Sequence, residues 1–415
     1  DSIAESQRES QPVPPEPSEP SRTSGVAPRP PVYLDHLATT PLDARVLDTM
    51  LPFFRESFGN ASSIHDFGLT AAAAVETARG HVAALIGATP REIIFTSGAT
   101  EANNLAIKGF CVRDATPIAH VVTCVTEHHA VLDVVDSLER RQPGLRVTRV
   151  PVDEDGIIDL NALDDALDDD AQLLSLMAAN NETGVLQPLD EIAQRLHGRD
   201  VIWHCDAAQA VGKIPLDLRK IPVDLLSMSA HKINGPKGQG ALFVRRRRPP
   251  IQLKAQLEGG GQERGYRSGT LNVAGIAGFG EACRLSLNEG EADALRLQVL
   301  RDRLQTSLQE ALGEGVIVNG HGQHRLPNAL NVSFPGINGA QLLVSLRDVA
   351  LSSGSACSSG SNSPSHVLLA MGRDPTLVAA SLRFGLGRTT AAAEVEWAAT
   401  RVIDEVRSCG KCGRP

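Results

Sequence analysis

From Val32 onward, short apolar runs rich in β-branched residues alternate with stretches of helical period. Residues 92–96, 120–126, 173–177, 201–205, 225–229 and 241–244 are apolar along most of their length, the pattern of strands buried on both faces. Helix-like stretches such as 101–110 and 189–197 lie between several of them. Strands alternating with helices predict βαβ units and a mostly parallel sheet. After Gly290 the texture changes. A long helix is predicted over 291–312, with short strands at 316–319 and 329–334 and further helices beyond. That stretch reads as a smaller α+β domain. No internal repeat is evident.

Composition narrows the class. A length of 415 residues exceeds one simple core, so a large and a smaller domain are expected. Residues 1–31 are rich in Pro, Ser, Glu and Gln and have little to bury, which predicts a disordered tail. Aromatic residues make up only 3%, so Ala, Leu, Val and Ile must build the cores. The net charge of −9 argues against a nucleic-acid surface. No uncharged apolar stretch approaches the ~20 residues that span a bilayer, and no secretory pattern opens the chain. A cytoplasmic protein is the expectation. Seven scattered cysteines fit a reducing compartment better than a disulfide framework. Cys111, Cys124, Cys205 and Cys283 sit among apolar or small residues and read as small buried hydrophobes. The basic run Arg245–Arg248 reads as a solvated loop leaving a strand, or as a grip for an acidic group. Its acidic counterpart, Asp164–Asp170, reads as a solvated helix face and loop.

Three segments carry candidate chemistry. In 92–110 a buried strand ends in Ser97-Gly98-Ala99-Thr100 and a helix follows at once. Such a turn aims backbone N–H groups and a helix dipole at one spot, which suits a phosphate, although many strand–helix turns share the pattern. In 201–212 a strand delivers Asp206 at its C-terminal end, where open α/β sheets place ligands. That carboxylate can pair with a ring nitrogen, or simply cap a helix. In 223–240 a strand ends in Ser229-Ala230-His231-Lys232 before a Gly/Pro-rich loop. Lys232 is either a desolvated amine fit for a Schiff base or an ordinary surface lysine. Together, a phosphate turn, an acid and an amine at successive strand ends are the parts that pyridoxal phosphate needs.

At this point the sequence resembles the cysteine desulfurases, which are fold-type I pyridoxal-phosphate enzymes of the class V aminotransferase group. The motifs that carry the resemblance are TSGATE (96–101), TEHHAV (126–131), NNETGV (180–185), HCDAAQAVGK (204–213), SAHKINGPKG (229–238), GGGQERGYRSGT (259–270), SSGSACSSG (352–360) and LRFGLGR (382–388), in family order. The resemblance implies an α/β fold-type I transferase. Residues 48–290 would form the large cofactor domain, and residues 291–408 the small domain, joined by 32–47. A tail, 409–415, holds the pair Cys409 and Cys412. Lys232 is similar to the lysine that holds the cofactor, Asp206 to the partner of the pyridinium nitrogen, and Gln209 to the donor to the ring hydroxyl. His128 resembles the imidazole stacked on the ring. Ala99, Thr100, Ser229 and His231 match the phosphate cradle. Thr270 matches a phosphate ligand supplied by the neighbouring subunit, which implies a homodimer. Asn181 and Arg383 match the residues that receive the substrate carboxylate, a task suited to a forked guanidinium.

Cys357 lies in a Gly/Ser stretch with no packing content. By itself the stretch reads as a linker with an incidental cysteine. The resemblance makes Cys357 the nucleophile that takes sulfur from L-cysteine, releases alanine and passes a persulfide onward to an acceptor such as an iron–sulfur scaffold. Lys232 would remove the α-proton. Selenocysteine as substrate, or another lyase reaction, is not separated from this by the residues. No resident metal is expected. Cys357 would at most touch a cluster iron in passing, and one Cys409/Cys412 pair cannot fill a tetrahedral zinc site.

Overall fold

The computed structural model describes residues 31–112, 118–353 and 364–412. The expectations for the disordered tail and for Cys357 lie outside the described residues, Pro31 excepted. The strands are β1 (Val32–Tyr33), β2 (Ile93–Thr96), β3 (His120–Cys124), β4 (Arg146–Val150), β5 (Ala171–Ser175), β6 (Ile202–Asp206), β7 (Leu225–Ser229), β8 (Gly240–Val244), β9 (Ile317–Asn319), β10 (Ala329–Ser333), β11 (Val349–Ala350) and β12 (Ser381–Gly385).

One sheet takes the order β2-β8-β7-β6-β5-β3-β4. Strands β7, β6, β5, β3 and β4 are parallel neighbours, and β8 runs antiparallel to both β7 and β2. All but β8 therefore point the same way, and their C-terminal ends share one edge. Side chains alternate faces along each strand. Ile93 and Phe95 of β2, with Trp203 and Cys205 of β6, enter one hydrophobic cluster. Ile94, Ile202 and Leu225 enter another on the opposite face. Helices Asp66–Leu85 and Val273–Leu312 contribute to the first cluster, and helices Ala99–Cys111 and His129–Arg141 to the second. Two covered faces explain why these strands are apolar throughout. Cys111, Cys124, Cys205 and Cys283 are all buried.

A second sheet, β12-β10-β9, is antiparallel, and β1 pairs in parallel with β11. Val32 and Leu34 join its core, together with Leu330, Phe384, Val395 and Val402. The same core receives Leu297, Leu300, Leu304 and Leu308 of helix Val273–Leu312.

That helix corrects the sequence reading. It begins at Val273 rather than at residue 291, and Gly290 lies inside it. Glycines before residue 291 are contact points within the helix: a Cβ on Gly280 would stand 2.5 Å from the Ala78 Cα of helix Asp66–Leu85. Strand β4 was also not anticipated, because an edge strand with Arg146, Thr148 and Arg149 breaks the apolar pattern. The basic run proves partly structural. Arg245 donates to the carbonyls of Val223, Leu218 and Ile221, and Arg247 pairs with Asp224. In the acidic stretch, Asp168 accepts from Arg146 and Asp164 pairs with Arg195. Among the described residues, no helix is long and apolar enough to cross a membrane.

The close approach at Gly280 gives a direct test. Gly280→Val should lower the stability of the chain by about 1–3 kcal/mol, the usual cost of overpacking a rigid contact. A fall in the midpoint of urea denaturation reads it, and an unchanged midpoint would mean that the two helices can separate at no cost.

Candidate active site

The shared C-terminal edge of β2, β6 and β7 opens onto a cavity of about 580 Å³. Ala99, Thr100, His128, Asn181, Asp206, Gln209, Ser229, His231 and Lys232 all line it. Residues from five motifs thus meet at one place.

After β2 the chain turns at Gly98 and enters helix Ala99–Cys111, whose N-terminus no side chain caps. Glu101 bends back to accept from the Ser97 N–H at 2.8 Å and is held by Arg267 at 2.9 Å. The first turn is left to face the cavity with its positive dipole end. Gly240 of β8 permits this turn, because a Cβ there would lie 2.5 Å from the Gly98 Cα.

Asp206, the last residue of β6, accepts from Asn103 Nδ2 at 2.7 Å and from the Ala208 N–H at 3.0 Å. Asn103 is fully buried and lies four residues after Ala99 on the same helix face. The next strand, β7, ends in Ser229, and a turn carries His231 and Lys232 to the cavity. Lys232 Nζ donates to the backbone carbonyls of Leu37 at 2.6 Å and Ala38 at 2.9 Å. Gln209 Nε2 donates to the same Leu37 carbonyl at 2.9 Å, and its Oε1 accepts from Lys213 Nζ at 2.7 Å.

His128 ends the turn after β3. Its Nδ1 accepts from the Ala130 N–H at 3.0 Å, so the neutral ring carries its proton on Nε2. Desolvation holds its pKa below the usual imidazole range, Asp206 pulls the other way, and Lys232 adds to the depression. His231 is pushed down to about 4 by desolvation and then by Lys232, Lys237 and Lys213. Both rings are therefore neutral at neutral pH, as donors and acceptors rather than cations.

Other candidates lie elsewhere. Arg383 of β12 is buried beside the cavity rather than lining it. Its Nη1 donates to the Asn181 carbonyl and its Nη2 to Asp35 Oδ1, each at 3.0 Å. Asp35 Oδ2 accepts from Ser352 Oγ at 2.8 Å. Thr270 is exposed and does not line this cavity. Cys409 is half-buried on helix Ala392–Cys412, which Cys412 closes, and does not line the cavity. Cys357 lies outside the described residues.

The sequence reading missed Asn103, Asp35, Lys213, Glu182 and the two carbonyls. The spacing of Asn103 from Ala99 was a usable signal. Backbone carbonyls leave none.

Residues 32–397 match the model of the family described as aminotransferase class-V. The chain is 51% identical over 378 residues to the cysteine desulfurase IscS of Anaeromyxobacter sp. (strain Fw109-5), covering 91% of this chain and 93% of that protein. Among solved structures, a NifS-like protein superposes with a TM-score of 0.84 at 36% identity, covering 91% of this chain and 99% of that one. SspA in complex with cysteine superposes with a TM-score of 0.75 at 34% identity, covering 86% and 98%.

Behind Asn181, the buried carboxyl of Glu182 accepts from Ser365 Oγ at 2.5 Å. Burial raises its pKa to about 7 from the ordinary 4.5, against the pull of Ser365 and Arg383. A carboxyl raised on folding stabilises most below its unfolded value, and that stability is lost as pH climbs through the folded one. Glu182 should therefore remove about 3 kcal/mol of stability between roughly pH 4.5 and 7. Glu182→Gln keeps the acceptor and removes the titration. Denaturant midpoints at pH 5 and pH 8 should lie closer together in the variant, and an unchanged gap would rule out this source of pH dependence.

Proposed function

The chain belongs to the cysteine desulfurases of the class-V aminotransferase family, and from that premise we propose that it is a pyridoxal-phosphate enzyme converting L-cysteine to L-alanine, with the sulfur held as a persulfide on Cys357. The observation that carries the reading is the convergence of Asp206, Lys232 and the uncapped start of helix Ala99–Cys111 on one cavity.

The residues present fit the cofactor. A carboxylate anchored by two donors suits a protonated ring nitrogen, and a helix N-terminus with the Ser229 hydroxyl and the His231 ring suits a phosphate. Lys232 supplies the amine for a Schiff base, Gln209 an amide for the ring hydroxyl, and His128 a flat ring to lie against the cofactor. When bound, pyridoxal phosphate supplies an electron sink for the carbon that loses its proton.

This chain's own residues do the rest. Asn181 and Arg383 receive the substrate carboxylate. The freed Lys232 amine takes the α-proton. The Cys357 thiolate attacks the substrate sulfur, the carbon–sulfur bond breaks and the sulfur stays on Cys357. Alanine leaves after proton return, and an acceptor thiol on a partner, such as an iron–sulfur scaffold protein, removes the sulfur. In this reading residues 48–290 cradle the cofactor, while 291–408 with 32–47 carry Cys357. The buried thiols of Cys124, Cys205 and Cys283 fit a reducing, cytoplasmic setting.

We assign Thr270 to the phosphate site of a second subunit. Phe54, Phe58, Ile64, Phe67 and Leu69 are each more than half exposed, an apolar surface that favours a homodimer. Its exposure leaves Thr270 free to serve a neighbour.

Two experiments test the reading. Wild type should release alanine and sulfide from L-cysteine with dithiothreitol, and Cys357→Ser should lose at least about 100-fold of both, as expected for a removed nucleophile. Retained activity would take sulfur transfer away from Cys357. Separately, Lys232→Ala and Thr270→Asp homodimers should each be inactive. Mixed dimers should regain activity, because one of their two sites then carries neither change. Failure of the mixture to recover would place Thr270 in its own subunit's site, and an active Thr270→Asp homodimer would place it in none.

A further inference from the structure

The segment 259–270, GGGQERGYRSGT, ends in Thr270 and is held by more than its own backbone. Among the described residues, the non-glycine positions with positive φ are Asn234, Glu263 and Arg264. Glu263 and Arg264 are neighbours, at 46° and 58°. A Cβ makes this left-handed region costly, so two such residues in a row persist only where their surroundings hold them. Here the hold is buried. The Glu263 side chain is 1% exposed and takes both arms of Arg79, itself 5% exposed, at 2.7 and 2.8 Å. A forked guanidinium on a carboxylate fixes orientation as well as distance. Glu263 Oε2 also accepts from the Phe95 N–H at 2.7 Å, and Arg79 and Arg264 donate to the Ile93 carbonyl at 3.0 and 2.6 Å. Strand β2 ends the large sheet, so side chains rather than another strand satisfy these backbone groups.

From Glu263 the fastening passes toward Thr270. Gln262 Oε1 accepts from the Gly269 N–H at 2.8 Å, and Ser268 Oγ accepts from the Gly261 N–H at 3.3 Å. The segment thus closes on itself one residue short of Thr270, and Arg267 adds its bond to Glu101. It has little apolar support. Its regular structure is the single turn Glu263–Gly265, and among its described side chains only Tyr266 packs against a hydrophobic cluster. Strand β2 has other support: it pairs with β8 along its whole length and buries Ile93, Ile94 and Phe95 in two clusters. Loss of Glu263 should therefore be felt at Thr270 more than at the start of helix Ala99–Cys111.

We propose that Glu263, clamped by Arg79, is a positioning residue for the cofactor site of the other subunit: it holds in place the segment that presents Thr270 across the dimer. The proposal rests on the reading of Thr270 as a phosphate ligand for a neighbour. It gives a task to a buried ion pair that the chemistry of its own subunit leaves unused, since neither Glu263 nor Arg79 lines the cavity there.

The test uses holo-dimers with one Lys232→Ala subunit, in which only the other subunit carries lysine-bound cofactor. Loss of its visible absorption is followed during dialysis. Glu263→Ala is placed in either subunit, with Glu263→Gln beside it, because the amide must turn an NH₂ toward a donor of Arg79 or Phe95. The variant that keeps the wild-type circular dichroism is read. Placed in the Lys232→Ala subunit, the change should speed cofactor loss from the opposite site about tenfold or more, the effect of one lost hydrogen bond to a charged group. Placed in the subunit that keeps Lys232, it should leave the rate unchanged. Faster loss from the variant's own site, equal loss in both placements, or no change in either overturns the proposal. Failure of both variants to fold also overturns it, because Glu263 would then serve the fold. Thr270→Asp in the same two placements separates the two readings. If it acts on its own subunit or on neither, the assignment of Thr270 is what fails. If it acts only across the dimer while Glu263 does not, only the role of Glu263 fails.

Discussion

Two backbone carbonyls, those of Leu37 and Ala38, hold the amine of Lys232, and most of the architecture bears on where they lie. The segment that carries them begins in one core and ends in the other. Val32 and Leu34 are buried with the small sheet, β1 is paired with β11, and the Leu34 carbonyl accepts from the Gly385 N–H. A few residues later, Leu37 is buried with the large sheet. Between them Asp35 ties the segment to Arg383 and Ser352. The position of one amine is thereby fixed by both hydrophobic cores at once. Carbonyls are well suited to this role, since they orient an amine by hydrogen bonding without adding a negative charge that would hold its proton.

The large sheet supplies the other half of the site by direction alone. Because β2, β6 and β7 point the same way, a helix start, a carboxylate and a lysine arrive together at one edge without help from long loops. The single reversed strand, β8, contributes Gly240, whose missing side chain lets the Gly98 turn lie directly on the sheet. The acid is then anchored by Asn103 of helix Ala99–Cys111, so that the turn after β2 and the turn after β6 fix each other.

Much of this was legible in the sequence where one side chain at one place carries the meaning. Strands covered on both faces announce themselves by unbroken apolar runs, and Asp206, Lys232 and Thr100 stand where those runs stop. The signal failed where a residue's effect depends on what lies opposite. Gly278 and Gly280 look like interruptions of a helix until Met50 and Ala78 are seen pressed against it. Arg146 and Arg149 disguise a strand whose outer edge has no neighbour among the described residues. Asp35 and Arg383 are 348 positions apart, and no local pattern links them. The carbonyls of Leu37 and Ala38 are invisible in principle, since every residue has one.

The pairing of β1 with β11 also sets an order of events during synthesis. A chain grows from its N-terminus, so Val32–Tyr33 leaves the ribosome more than 300 residues before its partner strand, Val349–Ala350, exists. The seven strands of the large sheet are all available once Val244 has emerged. Through that interval Lys232 has its strand but not the fixed carbonyls that hold its amine. A nascent chain therefore carries every strand of the large sheet and an unaligned lysine, and only the last part of translation brings that lysine into register.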